Sequence, residues 1–590
     1  MKRLIILAAT LIAGLSACDS LLDKEPLDRV TQFDYFKTRS DLELFSNPFY
    51  DNLLDKTPYD EQNDLLVQMT LSDVLYGGDK RTVPNTGGGW SWGNLRRINT
   101  LLEYVDQCED KKAVTEYTAL AKFFRAAFYF DKVKRFGDVP WYEVQLGSAD
   151  EALYKPRDSR ELIMTNMIKD IDEAINSGGL TEDISTYRVN KWAALALKAR
   201  FCLFEGTYRK YHGINLEGHD YTYYLEEAAK AAKTIIDEGP YKLYSTKTPD
   251  KDYMMLFAQE NASTEEYILA IRNSYEAQVY HNATAYTLLP TQGRPGYTRK
   301  FINMYLMKDG KAFTDKFKTE WQTMPFTEEV KDRDPRLAQS IRTPGYKRIG
   351  AKRVQGPDLG VTITGYQPIK FVQDTTASGG QIDRNDRSTC DMPVFRYAEV
   401  LLNYAEAKAE LGEMDQTVWN KTIRPLRERS GVIGAMPATA DPYLASYYDG
   451  VTDKWILECR RERSIELYME NTRRDDLMRW RMGHKLTVEF AGIHIPELGK
   501  PFDMNGDGKN DLCFYSKSHP KSGSNQTGVS YVEVTAEEGD NVTTYSVNKD
   551  NCLVYILDRE WADYKYLYPV PKNALDINPN LRPQNPGWDD

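Results

Sequence analysis

The chain has 590 residues, 41% of them hydrophobic and 28% charged, which is typical of a globular protein and not of a disordered one. At roughly 100–200 residues per domain, this length predicts about three to four core units. The formal net charge of −11 argues against a general nucleic-acid binder, and the 6 scattered histidines argue against a zinc hydrolase.

The amino-terminal residues have the pattern of an export signal. Lys2 and Arg3 precede an apolar run at 4–15 that is too short to span a bilayer as a stable helix. Cys18 follows small residues directly, as in bacterial lipoproteins. We therefore expect cleavage of residues 1–17 and attachment of three acyl chains, which anchor firmly where one alone is marginal. The alternative is an ordinary signal peptide with an incidental cysteine.

The rest of the chain is expected to be an exported, soluble body. No other segment is long and apolar enough to predict a membrane-spanning helix. The remaining cysteines are sparse and form no Cys-x-x-Cys pair, and Cys202 falls in an apolar helical pattern typical of a buried free thiol. One or two disulfides could form after export, with a pairing that the sequence does not determine.

Helical periodicity recurs along the chain. Apolar residues repeat at i, i+3, i+4 and i+7 over 117–128, and a similar pattern covers 162–175. The segment 192–203 opens with Trp-x-x-Leu-Ala, as a tetratricopeptide-repeat helix does. A helix at 225–238 ends at a Gly-Pro pair, and 397–405 has another strong apolar face. Such helices bury their faces only by stacking, so we expect a helical-repeat scaffold.

Long irregular segments separate the helical patterns, at 76–92, 240–300, 340–395 and 485–560. Segments of more than about 12–15 residues without their own secondary structure usually carry function or small sheets. Part of the last one, 529–547, alternates as short strands do. The predicted fold class is mostly α: a tetratricopeptide-like helical repeat scaffold with long irregular loops and small β-hairpin insertions.

Several motifs occur together in an order that resembles the SusD/RagB family. Each motif alone is weak, but their coverage from end to end makes the resemblance strong. They follow the Cys18 signal as AKFFRA (121–126), RFGDVP (135–140), MKDG (307–310), RDPRL (333–337), RYAEVLLNYAEA (396–407), ERSIEL (462–467), RDDLMRW (474–480), YPVP (568–571), NPNL (578–581) and QNPGW (584–588).

The resemblance implies an outer-membrane lipoprotein that captures nutrients, mostly glycans, for a TonB-dependent transporter. It implies a SusD-like helical region at 18–240, an irregular ligand-side region at 241–395, and a carboxy-terminal region at 396–590 with an insertion at about 485–560. The expected protein is non-catalytic, surface-exposed, and bound to glycan and to a SusC-like transporter, with no required cofactor and no nucleic-acid partner. The alternatives are a surface glycoside hydrolase, a peptide-binding member of the family, or a structural or adhesive lipoprotein.

The segment 73–94 carries the candidate ligand residues. Its glycines allow close backbone approach, and its flat aromatic rings suit the C–H faces of sugars, with polar groups for the hydroxyls. On the resemblance, contacts also come from loops near the middle of the chain. The expected ligand-binding residues are Asp73, Tyr76, Arg81, Trp90, Trp92, Arg294, Tyr297 and Tyr346. The alternative is that Trp90 or Trp92 heads a helix at 93–105 and packs inward.

Three charged motifs are expected to be structural and not catalytic. Glu462 and Glu466 lie at i and i+4 beside two arginines, which indicates a solvated, salt-bridged helix face instead of two carboxylates across a glycosidase cleft. The other two motifs can lock turns through charge-assisted hydrogen bonds. Their residues are Arg333, Asp334 and Arg336 in one, and Arg474, Asp475 and Arg479 in the other.

A short acidic loop resembles a calcium-binding loop. Its oxygen donors stand at positions 1, 3, 5, 7 and 9 of an EF-hand-like spacing, the seventh through a backbone carbonyl. They are Asp503, Asn505, Asp507, Lys509 and Asp511. Position 12 is Phe514 instead of the bidentate glutamate. Two interpretations stay open: a structural Ca²⁺ that orders an insertion, or a loop of Asx turns without metal.

Overall fold

The computed structural model describes residues 35–53, 63–69, 82–377 and 381–589. Cys18 and the expected signal lie outside these residues. Across the described ranges, no helix combines the length and the apolar character that a bilayer crossing needs. The six cysteines in these ranges are buried free thiols, which confirms the expectation for Cys202 and leaves no disulfide among them.

Helices form most of the regular structure. Those in the first half of the chain are α1 (Arg39–Leu53), α2 (Gly93–Tyr104), α3 (Lys111–Phe136), α4 (Arg160–Asn176), α5 (Lys191–His212), α6 (Tyr221–Glu238), α7 (Asp252–Ala258) and α8 (Ala283–Leu288). Those that follow are α9 (Arg299–Met304), α10 (Phe313–Phe317), α11 (Phe326–Glu329), α12 (Pro335–Ala338), α13 (Tyr397–Glu410), α14 (Gln416–Lys421), α15 (Ile423–Arg429), α16 (Pro442–Tyr447), α17 (Lys454–Glu466), α18 (Arg473–Arg479) and α19 (Lys572–Ile577).

Local signals explain where the long helices begin and end. The Asp110 carboxylate accepts two backbone N–H groups at the start of α3, and the Asn190 side chain accepts one at the start of α5. Helix α5 ends at Gly213, whose φ of +66° is a left-handed conformation that glycine adopts readily. The five periodic segments predicted from the sequence lie in α3, α4, α5, α6 and α13.

The long helices stack side by side, as the repeat pattern predicted. Helix α3 packs on α4, α5 packs on α6, and α13 packs on both α6 and α17. A Cβ atom at Gly206 of α5 would lie 2.8 Å from Leu225 Cγ of α6, so this close approach requires glycine. A mostly helical fold with few small strands is confirmed.

The strands form small separate sheets. They are β1 (Leu66–Val67), β2 (Tyr267–Ile271), β3 (Gly296–Tyr297), β4 (Met392–Arg396), β5 (Ala491–His494), β6 (Leu512–Tyr515), β7 (Ser530–Glu533), β8 (Tyr545–Val547) and β9 (Cys552–Tyr555). Antiparallel pairs join β1 to β3 and β2 to β4, whereas β6 and β7 run parallel. Strands β8 and β9 form an antiparallel hairpin that β5 extends, so the expected insertion at 485–560 contains a small sheet.

The pair Glu462 and Glu466 is buried, so the expectation of a solvated face is wrong. Both residues are 0% exposed on α17. Glu466 lies 2.6 Å from Arg429 and 2.8 Å from Arg396, and Arg336 bridges both glutamates. Helix α17 is covered on all sides, and its charges neutralise one another inside the protein instead of facing water. Because every carboxylate is paired, this network is structural.

The residues of the two motifs that were expected to lock turns form hydrogen bonds and ion pairs within the protein. Asp334 caps α12 and pairs with Arg336 at 2.7 Å, and Arg333 donates to three backbone carbonyls. In the second motif, Arg479 binds the carboxylate of Glu406, and the other two residues contact neighbouring side chains. Those contacts are Asp475 to Lys134 at 2.6 Å and Arg474 to the Tyr568 hydroxyl at 3.0 Å.

Acid should destabilise the protein through this network. Burial alone would raise the pKa of Glu406, but Arg479 and Arg463 outweigh it and lower the pKa to about 2. A carboxyl whose folded pKa is depressed stabilises the fold above its unfolded pKa of about 4.3 and loses that contribution as the pH falls toward about 2. We expect the melting temperature to fall below about pH 4, and to fall less steeply in Glu406→Gln. Equal acid dependence in both proteins would contradict this assignment.

Candidate functional site

Trp90 and Trp92 lie at the start of α2, and their rings form an edge-to-face pair with centroids 5.4 Å apart and planes at 80°. A tight turn precedes them, closed by the Trp90 N–H donating to the Gly87 carbonyl at 2.9 Å. The turn requires glycine at position 89, where φ is +88° and a Cβ would lie 2.6 Å from Arg135 Nε.

Both tryptophans are half-buried, so each has one packed side and one open side. Trp90 packs edge-on against Phe136 at 4.8 Å, and Trp92 packs against Phe128 and Tyr142, each at 5.7 Å. Trp92 directly precedes the first residue of α2, as in the alternative in which it heads this helix, although its side chain makes no capping hydrogen bond. It nevertheless keeps partial exposure, and the two rings line one open groove.

This groove, which we call the tryptophan groove, has a cavity of about 570 Å³. Its walls are mainly apolar and come from three parts of the chain: the turn and α2, the segment after Pro140, and the carboxy-terminal α19 region. Residues that line it include Trp90, Trp92, Leu95, Arg96, Tyr142, Val144, Leu153, Tyr154, Asn573, Ala574, Ile577 and Leu581. Several are unusually exposed for apolar residues, with Val144 at 57% and Ile577 at 60%.

Hydrogen bonds hold the walls in place. Asn99 Nδ2 of α2 donates to the carbonyls of Tyr142 at 3.0 Å and Val144 at 3.1 Å. On the opposite side, the Lys572 N–H donates to the Pro84 carbonyl at 3.0 Å, which ties α19 to the chain just before the turn. The groove is therefore built on fixed backbone, which lowers the entropic cost of binding a ligand.

The phenol of Tyr142 is the titratable group of the groove whose pKa is shifted most clearly. Burial, with a smaller contribution from Asp158, raises the pKa of Tyr142 to about 12. At neutral pH the hydroxyl is protonated and donates to the Leu153 carbonyl at 3.4 Å, and its oxygen can accept a hydrogen bond from a ligand. This chemistry suits recognition of hydroxyl groups and supplies no general base.

Among the described residues, the predicted ligand residues Arg294, Tyr297 and Tyr346 do not line this groove. Arg294 donates to the Tyr545 hydroxyl at 2.6 Å and to the Leu359 carbonyl, and Tyr346 is half-buried beside Arg342. Tyr297 is 0% exposed, because β3 places its ring in the core against Phe301 and Tyr468. The expectation that Tyr297 faces a ligand is therefore corrected. Asp73, Tyr76 and Arg81 lie outside the described residues.

Most of the residues that line the groove were not predicted from the sequence. Tyr142, Tyr154 and Ile577 belong to segments that give no local signal of ligand binding. The exposure of apolar residues at 153–154 and 577 becomes informative only once α19 is placed beside α2. The sequence feature that pointed to this part of the groove was the turn-rich carboxy terminus. In the structure its Leu575 and Leu581 cluster with Val570 and pack against Trp90.

The acidic loop at 503–511 is organised by its own backbone. Both oxygens of Asp503 accept N–H groups, from Gly506 at 2.7 Å and Gly508 at 2.8 Å, and Asp511 accepts two more. Within the described residues, no three His, Cys, Asp or Glu side chains come together as a metal site. The hydrogen bonds of Asp503 form Asx-type turns within the loop. Calcium binding stays a prediction that calorimetric titration after chelator treatment would test.

Comparison with known proteins identifies the family. A family model described as "SusD family" matches residues 256–588, and one described as "Starch-binding associating with outer membrane" matches residues 35–195. The first match alone covers more than half of the chain. The protein belongs to the SusD family, as its motifs indicated.

Individual relatives agree with this assignment. "SusD-like protein P38" of Formosa agariphila is 24% identical over 500 residues, which cover 79% of this chain and 88% of the relative. A crystal structure of a SusD-like protein from Bacteroides fragilis matches with a TM-score of 0.65 and 19% identity, over 96% of this chain and all of that one. A SusD-like carbohydrate binding protein from the same organism matches with a TM-score of 0.64 and 22% identity, over 93% and 100% of the two chains. At these identities the solved structures establish the shared fold.

Proposed function

We propose that this protein is a non-catalytic glycan-binding lipoprotein that captures oligosaccharide at the cell surface and delivers it to a partner TonB-dependent transporter. The tryptophan groove is the observation that carries the proposal. Two indole rings at nearly a right angle offer apolar faces for sugar C–H groups, and Tyr142 and Asn573 offer polar groups beside them. One structural relative is described as a carbohydrate binding protein, which supports the same proposal.

The charge chemistry supports binding without turnover. A retaining or inverting glycosidase needs two carboxyl groups facing its substrate, one of them with a raised pKa. Glu462 and Glu466 are buried, and Arg429, Arg396 and Arg336 lower the pKa of Glu466 although burial alone would raise it. The tryptophan groove is lined by no aspartate or glutamate among the described residues. A surface glycoside hydrolase is therefore the weaker alternative.

Anchoring and the transporter partner rest on the family assignment and on the signal at Cys18. The family model that matches residues 35–195 is itself described as associating with the outer membrane. We propose lipidation of Cys18 and exposure at the outer membrane on these grounds. Palmitate labelling of the wild type and of Cys18→Ser in cells tests this part, since labelling that persists in the variant would overturn it.

The cargo could instead be a peptide, as the second alternative holds. A peptide cleft needs hydrogen-bond partners for a run of backbone amides, or charged side chains for its ends. The tryptophan groove instead exposes mainly aromatic and aliphatic surface, which favours the flat face of a sugar ring.

One experiment separates these functions. The purified protein is screened on a glycan array and a peptide array. Each ligand that it binds is then incubated with the protein, and the mass of the ligand is measured by mass spectrometry. We expect retention of at least one glycan with its mass unchanged. Recovery of a shortened glycan would establish a hydrolase, and retention of peptides alone would establish the peptide-binding alternative.

A further inference from the structure

The tryptophan groove is almost free of charge, and the exception is positive. Among the described residues that line it, Arg96 is the only charged side chain. The protein as a whole carries a formal net charge of −11, with 87 acidic residues against 76 basic ones. The described lining of the groove, which contains no carboxylate, therefore differs from the acidic average of this protein.

Arg96 is exposed and makes no hydrogen bond or ion pair through its side chain with any described residue. It lies in the first half of α2, where a cation is unfavourable because the amino-terminal end of a helix dipole is positive. The first turn of α2 contains no acidic residue, and the Trp92 side chain makes no capping hydrogen bond. The helix therefore adds to the positive potential at the groove instead of offsetting it.

Two further cations lie behind the glycine turn. Lys132 Nζ donates to the Gly89 carbonyl and Arg135 Nε donates to the Gly88 carbonyl, both at 2.6 Å. The carboxylate paired with Lys132 is Asp131, and it is 3.9 Å away and largely exposed. Burial lowers the pKa of both Lys132 and Arg135, and neither cation has a carboxylate within hydrogen-bond distance among the described residues.

Two carboxylates on the flanking segments have partners outside the groove. Glu143 accepts a hydrogen bond from Trp141 Nε1 at 3.0 Å, and Asp576 of α19 lies 3.7 Å from Arg582. Neither residue lines the groove. A ligand in the groove therefore meets one free guanidinium at its surface and two cations behind the wall.

We propose that the tryptophan groove binds an acidic glycan, an oligosaccharide that carries a carboxylate or a sulfate ester and pairs this group with Arg96. The inference rests on the proposed function and names its class of ligand. Guanidinium binds both oxyanions through paired N–H donors, while the sugar rings stack on Trp90 and Trp92. Because the protein as a whole is negatively charged, it should repel acidic ligands elsewhere on its surface.

The test compares matched ligands that differ only in charge. The probes are an oligogalacturonide and its methyl ester for the carboxylate, and a sulfated galactan oligosaccharide and its desulfated form for the sulfate, within an array that also holds neutral glucans. We expect an acidic member to be retained at least about tenfold more strongly than its uncharged counterpart, as hydrogen bonds to charged groups imply. Added salt should weaken this retention because it screens an exposed pair.

The variants assign the effect to Arg96. We expect Arg96→Gln to lose the preference for the acidic probe, while Arg96→Lys keeps part of it. Arg97→Gln is the matched control, because Arg97 is the next exposed residue of α2 and does not line the groove. Retention of neutral glycans alone would overturn this inference and leave the proposed function standing. Retention of no glycan at all would overturn both.

Discussion

Arg336→Met should lower the unfolding free energy by about 3–5 kcal/mol, the largest effect on stability that we expect from a single substitution. Arg336 is 0% exposed and contacts three carboxylates, those of Asp334, Glu462 and Glu466. Methionine fills much of the same volume but leaves Asp334 as a buried charge without its partner.

Chemical denaturation of the wild type and the variant measures this effect. Arg353→Met is the matched control, because Arg353 is exposed and its side chain makes no ion pair with a described residue. We expect the control to unfold within about 0.5 kcal/mol of the wild type. If the Arg336→Met protein were as stable as the control, the ion pairs of Arg336 would not stabilise the fold.

Trp90→Ala should weaken glycan binding by about thirtyfold or more, the loss typical of a central aromatic contact. The indole packs on Phe136 with one side and opens to the tryptophan groove with the other, so truncation removes a stacking surface next to Trp92. Affinity electrophoresis against the retained glycan measures the change.

Controls separate lost stacking from lost folding. Trp321→Ala removes a half-buried indole that packs on Tyr443 and does not line the groove, so it should leave retention unchanged. The Trp90→Ala and Trp92→Ala proteins should both melt cooperatively. Full retention of the glycan by both single variants would show that the tryptophan groove is not the glycan-binding site.

The sequence was most informative where one short window contains the whole signal. The apolar period of 117–128 and 192–203 predicted α3 and α5, because a stacked helix repeats its buried face every turn. The Asp334 and Arg336 pair was predicted for the same reason, since a turn and its cap lie within a few residues.

Burial and long-range contacts explain the failures. Glu462 and Glu466 have the same spacing on a solvated face as in a buried network, and their arginine partners lie on other segments. Tyr297 sits in a two-residue strand whose partner, Leu66, is distant in sequence, so no local alternation showed which way it points. The far wall of the groove comes from α19 and was not predictable from the Trp90 region.

A crystal structure of the protein in complex with its most strongly retained glycan would show whether the tryptophan groove is the glycan-binding site. We expect an intact oligosaccharide in the tryptophan groove, with a sugar ring stacked on Trp90 or Trp92. A sugar bound elsewhere, such as beside Tyr346 with the groove empty, or a glycan cleaved in the crystal, would contradict this expectation.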